Sequence, residues 1–157
     1  MGRVIQIDSR EHLRERRRIE EGFDKLGVQH ICSKLYVGDY CFVDNPLIVV
    51  DRKMGLAELA NNVTGDHGRF RQELIKAREI GAQLTILCEF SMLAPSSLED
   101  VRKWVNPRLR VSPAAVKGET LYKILRTMGD RYGVQYEFCM KKDTPKKILE
   151  ILSRERQ

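Results

Sequence analysis

Asp39, Asp51 and Lys53 are the residues of this 157-residue chain whose types and surroundings best suit catalysis. Asp51 and Lys53 close the stretch Leu47-Ile48-Val49-Val50, four β-favouring apolar residues that predict a buried strand ending at a polar site. Asp39, after Gly38, begins the strand before it. A strand pair that exposes its ends would bring two carboxylates and an ammonium together. Two hard oxygen ligands can hold Mg²⁺ or Mn²⁺, and the ammonium can orient a water or steady the charge of a phosphorane. The chemistry this suits is hydrolysis of a phosphodiester.

The elements that must carry these groups follow from periodicity. Residues 4–7 predict a short strand, ended by Asp8-Ser9-Arg10-Glu11. Residues 13–26 predict a helix with Ile19, Phe23 and Leu26 on one face, a dense charge run from Arg14 to Arg18, and Gly27 as its stop. A second strand is expected over 28–34, a third from Asp39, and a turn at Asn45-Pro46 before a central fourth over 47–51. A helix through Leu56, Leu59 and Val63 is broken by residues 64–68. A second helix carries Phe70, Leu74, Ala77 and Ile80, and Gly81 ends it before a buried strand over 84–88. Ser97 with Asp100 predicts a capping box for a helix through Trp104 and Val105, stopped by Asn106-Pro107. Residues 108–118 read as irregular and basic. A longer helix carries Leu121, Leu125, Met128 and Tyr132, a late strand covers 134–140, and Thr144-Pro145 serves as N-cap and first-turn proline of a last helix. The expected fold is α/β, a mixed central β-sheet flanked by helices. Residues 1–90 would form the core and 91–157 a C-terminal α/β extension packed on the same sheet.

Composition sets the outer limits. With 42% hydrophobic and 32% charged residues the chain is globular and of single-domain size. No apolar run reaches the roughly 20 residues that span a bilayer, and no secretory leader is expected. Cys32, Cys41, Cys88 and Cys139 are scattered and form no Cys-x-x-Cys pair, so they are expected to be reduced, buried thiols of an intracellular protein rather than zinc ligands. The net charge of +6 favours a polyanionic partner. No Gly-x-Gly-x-x-Gly or P-loop occurs, so no nucleotide cofactor is expected.

Val37-Gly38-Asp39-Tyr40 and Val50-Asp51-Arg52-Lys53 together resemble the XPF-type (Hef-like) structure-specific endonucleases of the PD-(D/E)xK nuclease superfamily. Ile7-Asp8-Ser9-Arg10-Glu11 resembles that family's first-strand Asp-x-Arg-Glu segment. Gly68-Arg69-Phe70 is similar to its Gly-Arg-aromatic helix start, and residues 84–89 to its apolar strand ending in glutamate. The resemblance covers about residues 4–90. It departs from the family at Asp51, where glutamate is usual, and at Ala57, where a further aspartate is usual and Glu58 stands one place on. No signature of the family's paired helix-hairpin-helix modules occurs in residues 91–157.

The resemblance implies a restriction-endonuclease-like fold and a metal-dependent DNA endonuclease acting on branched, flap or junction DNA. Asp39 and Asp51 would be the metal ligands with Mg²⁺ or Mn²⁺, and Lys53 would position or activate the attacking water. Asp8 would be an additional acid at the metal or a strand-end turn former. Arg52 is either a site residue or, with Arg10 and Glu11, part of an ion-pair network holding the strand ends. Arg10 and Arg69 are candidate DNA-phosphate contacts, Arg69 because a helix start offers free N–H groups. Glu58 is a possible accessory acid. A homodimer is implied by the family, and an intracellular setting, cytoplasm or nucleoid, of phage or prophage character is suggested by small size. Two alternatives stay open: a Holliday-junction resolvase or unselective nuclease of the same superfamily, and a non-catalytic DNA-binding scaffold with a degenerate site.

Overall fold

β-Strand alternation builds this molecule, and one strand shows it most fully. In the computed structural model, which describes residues 2–65 and 67–155, the strand Asn45–Lys53 (β4) buries Val49 on one face and Ile48 and Val50 on the other. A strand covered on both faces reads as a continuous apolar run, which is why Leu47 to Val50 carries no polar residue. Around it lie Val4–Ile7 (β1), Gln29–Cys32 (β2), Tyr40–Phe42 (β3), Gln83–Phe90 (β5) and Gln135–Met140 (β6). The described residues form one six-stranded mixed sheet in the order β2-β1-β3-β4-β5-β6. β1 pairs parallel with β2 and antiparallel with β3; β3 runs antiparallel to β4, and β4, β5 and β6 are parallel. Reversing twice, β1 runs with β4, so five of the six strands end at the same edge.

Helices cover both faces. Leu13–Lys25 (α1) and Thr144–Leu152 (α5) lie over one, where Ile5, Ile7, Phe23, Tyr40, Val50 and Ile148 meet. Leu56–Thr64 (α2), His67–Glu79 (α3) and Gly118–Tyr132 (α4) lie over the other, on Val49, Leu74, Leu84, Ile86 and Leu125. Gly22 of α1 makes the α1–α5 crossing close: a Cβ there would fall 2.2 Å from the Pro145 Cγ. Among the described residues no helix is long and apolar enough to cross a membrane.

Several local expectations change. Asn45-Pro46 is not a turn; β4 begins at Asn45, and Val43-Asp44 makes the turn. Pro46 is tolerated because pairing with β5 starts only at Ile48, so its missing N–H leaves no gap in that ladder. The predicted capping box does not form: Ser97 is the N-cap residue but makes no side-chain cap bond, Asp100 accepts instead from the Ser96 backbone (3.1 Å) and hydroxyl (2.7 Å), and the segment is a 3₁₀ turn, Leu98–Lys103. Thr144 is the first residue of α5 rather than its N-cap, because its hydroxyl is bonded to Glu89. Ile80 lies beyond the end of α3 and is exposed. Of the free cysteines Cys41, Cys88 and Cys139 are buried, whereas Cys32 is exposed on edge strand β2 and takes a hydrogen bond from Arg16 at 3.3 Å. Asp66, in the predicted break between α2 and α3, lies outside the described residues.

Candidate active site

A cleft of about 310 Å³ opens where β1 and β4 end beneath α2 and α3, and Asp8, Arg10, Asp39, Asp51, Lys53, Glu58 and Arg69 all line it. Strand geometry delivers the central three. Asp39 extends the β3 ladder by one residue, its N–H donating to the Val50 carbonyl and its carbonyl accepting from the Asp8 N–H, both at 2.8 Å. Its side chain accepts from the Arg52 backbone N–H at 2.8 Å. Asp51 and Lys53, two apart on β4, share a face, with Nζ 3.4 Å from Asp51 Oδ2. The Lys53 ammonium lies over the Phe70 ring of α3, 5.5 Å from its centroid. Burial works against the Lys53 charge, but Asp51, Glu58 and Asp39 outweigh it and hold its pKa above the ordinary lysine value.

Gly38 aims Asp39. Its φ of +72° is left-handed, and a Cβ there would lie 2.3 Å from Val49 Cγ1. A Gly38→Ala variant combines the left-handed penalty with that clash. It should lose roughly 2 kcal/mol or more, read as a lower midpoint in urea unfolding. Adding Val49→Ala should not restore the wild-type midpoint, because the backbone penalty remains. A Gly38→Ala midpoint equal to wild type would mean that the turn is free to relax.

The residues around this centre divide by what already holds them. Asp8 is buried with both oxygens engaged, one by the Leu35 N–H (2.9 Å) and one by Arg10 Nε (3.0 Å); Arg10 also donates to the Leu35 carbonyl. This ties the end of β1 to the segment before β3. Glu58 accepts from the Met54 N–H at 2.7 Å, bracing the start of α2 while facing the cleft, and Ala57 beside it is exposed to solvent. Arg69 is exposed in the first turn of α3. Arg52 is not brought to the cleft. Alternation turns it to the opposite face of β4, where Glu11 grips it with two bonds of 3.0 Å and Glu89 holds a third N–H. Glu89 in turn accepts from Arg18 (2.6 Å) and from the Thr144 hydroxyl. Of the two readings open for Arg52, this geometry is the ion-pair network. Glu11 belongs to both places, since it lines the cleft and also accepts from Tyr40 Oη at 2.7 Å.

Asn62 and Glu73 also line the cleft and were not among the residues expected there. Each stands four positions after an expected residue on the same helix, Asn62 after Glu58 and Glu73 after Arg69, and that i, i+4 spacing was the available signal.

The donor set fits a hard divalent cation. Burial, and then the negative charges of Asp51 and Glu11, hold the Asp39 carboxyl well above the usual carboxylate range. A cation between Asp39 and Asp51 would relieve that repulsion. Among the described residues no three carboxylate, imidazole or thiol groups converge on one point. The chain therefore offers two side-chain oxygens, which suits an ion that keeps several waters.

A family model for the ERCC4 domain matches residues 7–152. This chain belongs to the ERCC4-domain family. Its fold is that of the XPF-type nuclease domain, as the solved structures show. XPF from Aeropyrum pernix superposes with a TM-score of 0.68 at 23% identity, over 95% of this chain and 63% of that one. The same Aeropyrum protein in a complex with DNA superposes at 0.66 and 24% identity, over 96% and 63%. This chain thus spans 63% of the length of those relatives. No curated protein matches the chain. The family match runs past residue 90 and takes in β6 and α5, beyond the segments that carry the sequence resemblance.

Proposed function

We propose that this ERCC4 domain is a divalent-metal-dependent DNA endonuclease. The observation that carries the reading is the convergence of Asp39, Asp51 and Lys53 in one open cleft, with Lys53 Nζ 3.4 Å from Asp51. Mg²⁺ or Mn²⁺, held by Asp39 and Asp51, would supply Lewis-acid polarisation of the scissile phosphate and a more acidic water. The protein's own part is positioning and charge. Lys53, kept cationic by its acidic neighbours, would draw a phosphate oxygen down over Phe70 and orient the attacking water. Arg69 and Arg10, at the cleft rim, would hold flanking phosphates. Glu58 is the accessory acid of this reading. Asp8 would act by fixing the β1 end rather than by touching substrate, since both its oxygens are occupied. A homodimer and an intracellular setting belong to the same proposal.

The test is purified protein with labelled flap, junction and linear duplex DNA, in Mg²⁺ or Mn²⁺ and in EDTA. Cutting is expected with metal and none with EDTA, and the preferred DNA names the subclass. Equal binding of all three without any cutting would overturn the nuclease reading in favour of a DNA-binding scaffold.

A further inference from the structure

The sheet edge that forms the cleft continues past it. β6 ends at Met140 on this same edge, followed at once by Lys141 and Lys142, and α1 begins there just after Glu11. Between α1 and the start of α5 lies a groove of about 530 Å³ lined by Arg18, Glu21, Lys25, Lys141, Lys142 and Pro145, on the face of the sheet opposite the cleft. Helical spacing sets Arg14 one turn before Arg18, and Arg17 one turn before Glu21, so both extend this flank towards the edge. Lys146 stands one turn after Lys142.

These cations differ in what they are free to do. Arg18 is already spent on Glu15 (2.8 Å), Glu89 (2.6 Å) and the Lys141 carbonyl, and Lys141 lies 3.9 Å from Glu15. Arg14, Arg17, Lys142 and Lys146 are exposed and, among the described residues, have no ion pair. Glu21 is the one acid lining the groove. Four solvated cations in one strip repel each other, and nothing in the fold needs them there.

We infer that Arg14, Arg17, Lys142 and Lys146 form a second anchoring strip for double-stranded DNA, gripping one phosphate backbone while the cleft on the other side of the edge holds the other. The inference rests on the reading of the cleft as a nuclease site, but it concerns binding and is tested without cutting. The affinity of the full chain for a labelled duplex in EDTA is measured across a salt series. The quadruple variant Arg14→Ala, Arg17→Ala, Lys142→Ala, Lys146→Ala is compared with a control that loses equal charge from exposed residues elsewhere: Arg110→Ala, Lys117→Ala, Lys123→Ala, Arg131→Ala.

Each lost phosphate contact lowers the slope of log affinity against log salt by roughly 0.9, so the strip variant should lose up to about 3.6 and the control should keep the wild-type slope. All eight side chains are exposed, and circular dichroism checks that both variants stay folded. Equal losses in the two variants, or none in the strip variant, would overturn the strip. Absence of any duplex binding by the wild type would overturn both the strip and the DNA reading. Binding with the expected slopes but no cutting in metal would leave the strip standing and remove only the nuclease.

Discussion

Asp51→Ala should cut DNA about 10³-fold more slowly than wild type in saturating Mg²⁺ while still binding the same duplex in EDTA. The magnitude follows from losing one of two charged oxygens at the proposed metal, worth roughly 4 kcal/mol of transition-state stabilisation. The comparison is clean because Asp51 lines the cleft and belongs to neither apolar layer, and its ionic partner is its cleft neighbour Lys53. Truncating it opens no cavity in either apolar layer, so the melting temperature should stay within a few degrees of wild type. Rates and affinity measured on the same preparation separate the two roles. A variant that cuts at the wild-type rate would remove Asp51 from the chemistry.

The second large effect falls on stability. Arg52→Ala should destabilise the fold by about 3–5 kcal/mol, because it strands Glu11 and Glu89 as buried carboxylates without their shared cation. The side chains are 3%, 9% and 2% exposed for Arg52, Glu11 and Glu89, too little for solvent to compensate. For a chain of this length that is a fall of roughly 10 °C in melting temperature. Pairing Arg52→Met with Glu89→Gln should recover part of the loss, since an amide can still accept from Thr144 and carries no charge. A single-variant loss below about 1 kcal/mol would show that Arg52 is not the keystone of this network.

Most of the candidate site could be read from the chain because its parts are local. Asp51 and Lys53 end an unmistakable apolar strand, and Gly38-Asp39 carries the turn and a candidate ligand side by side, so type and spacing were enough to bring them to one cleft. Arg52 divides from its neighbours by a rule also present in the sequence: alternation on a strand separates odd from even positions. What could not be read was pairing across distance. Glu89 looked like the polar end of an apolar strand, and Thr144 like a helix cap. Only the fold, which sets β5 beside β6 and lays α5 over that face, shows each to be the other's partner. Likewise Ser97 had the right spacing for a cap and stands at the N-cap position, but its side chain makes no cap bond, because Ser96 offers both its amide and its hydroxyl to Asp100. Cys32 was expected inside because its neighbours are apolar; it lies on the outermost strand, and edge position is a property of topology rather than of local pattern.

The alternation on β4 also decides which changes of length this protein can survive. Asp51 and Lys53 face the cleft because Arg52 faces inward, and all three follow the pairing of Tyr40 with Val50 and Cys41 with Val49, which a register shift separates from the Val43-Asp44 turn. Slipping that pairing by one residue would carry Arg52 into the cleft and push an aspartate and a lysine among Glu11, Glu15 and Glu89. The candidate catalytic groups and the buried ion pairs would be exchanged in one step. A single residue inserted or deleted between Val49 and Lys53 is thus a lesion to the fold and to the candidate site together. A paired change, which preserves the parity of the strand, leaves every side chain on its own face.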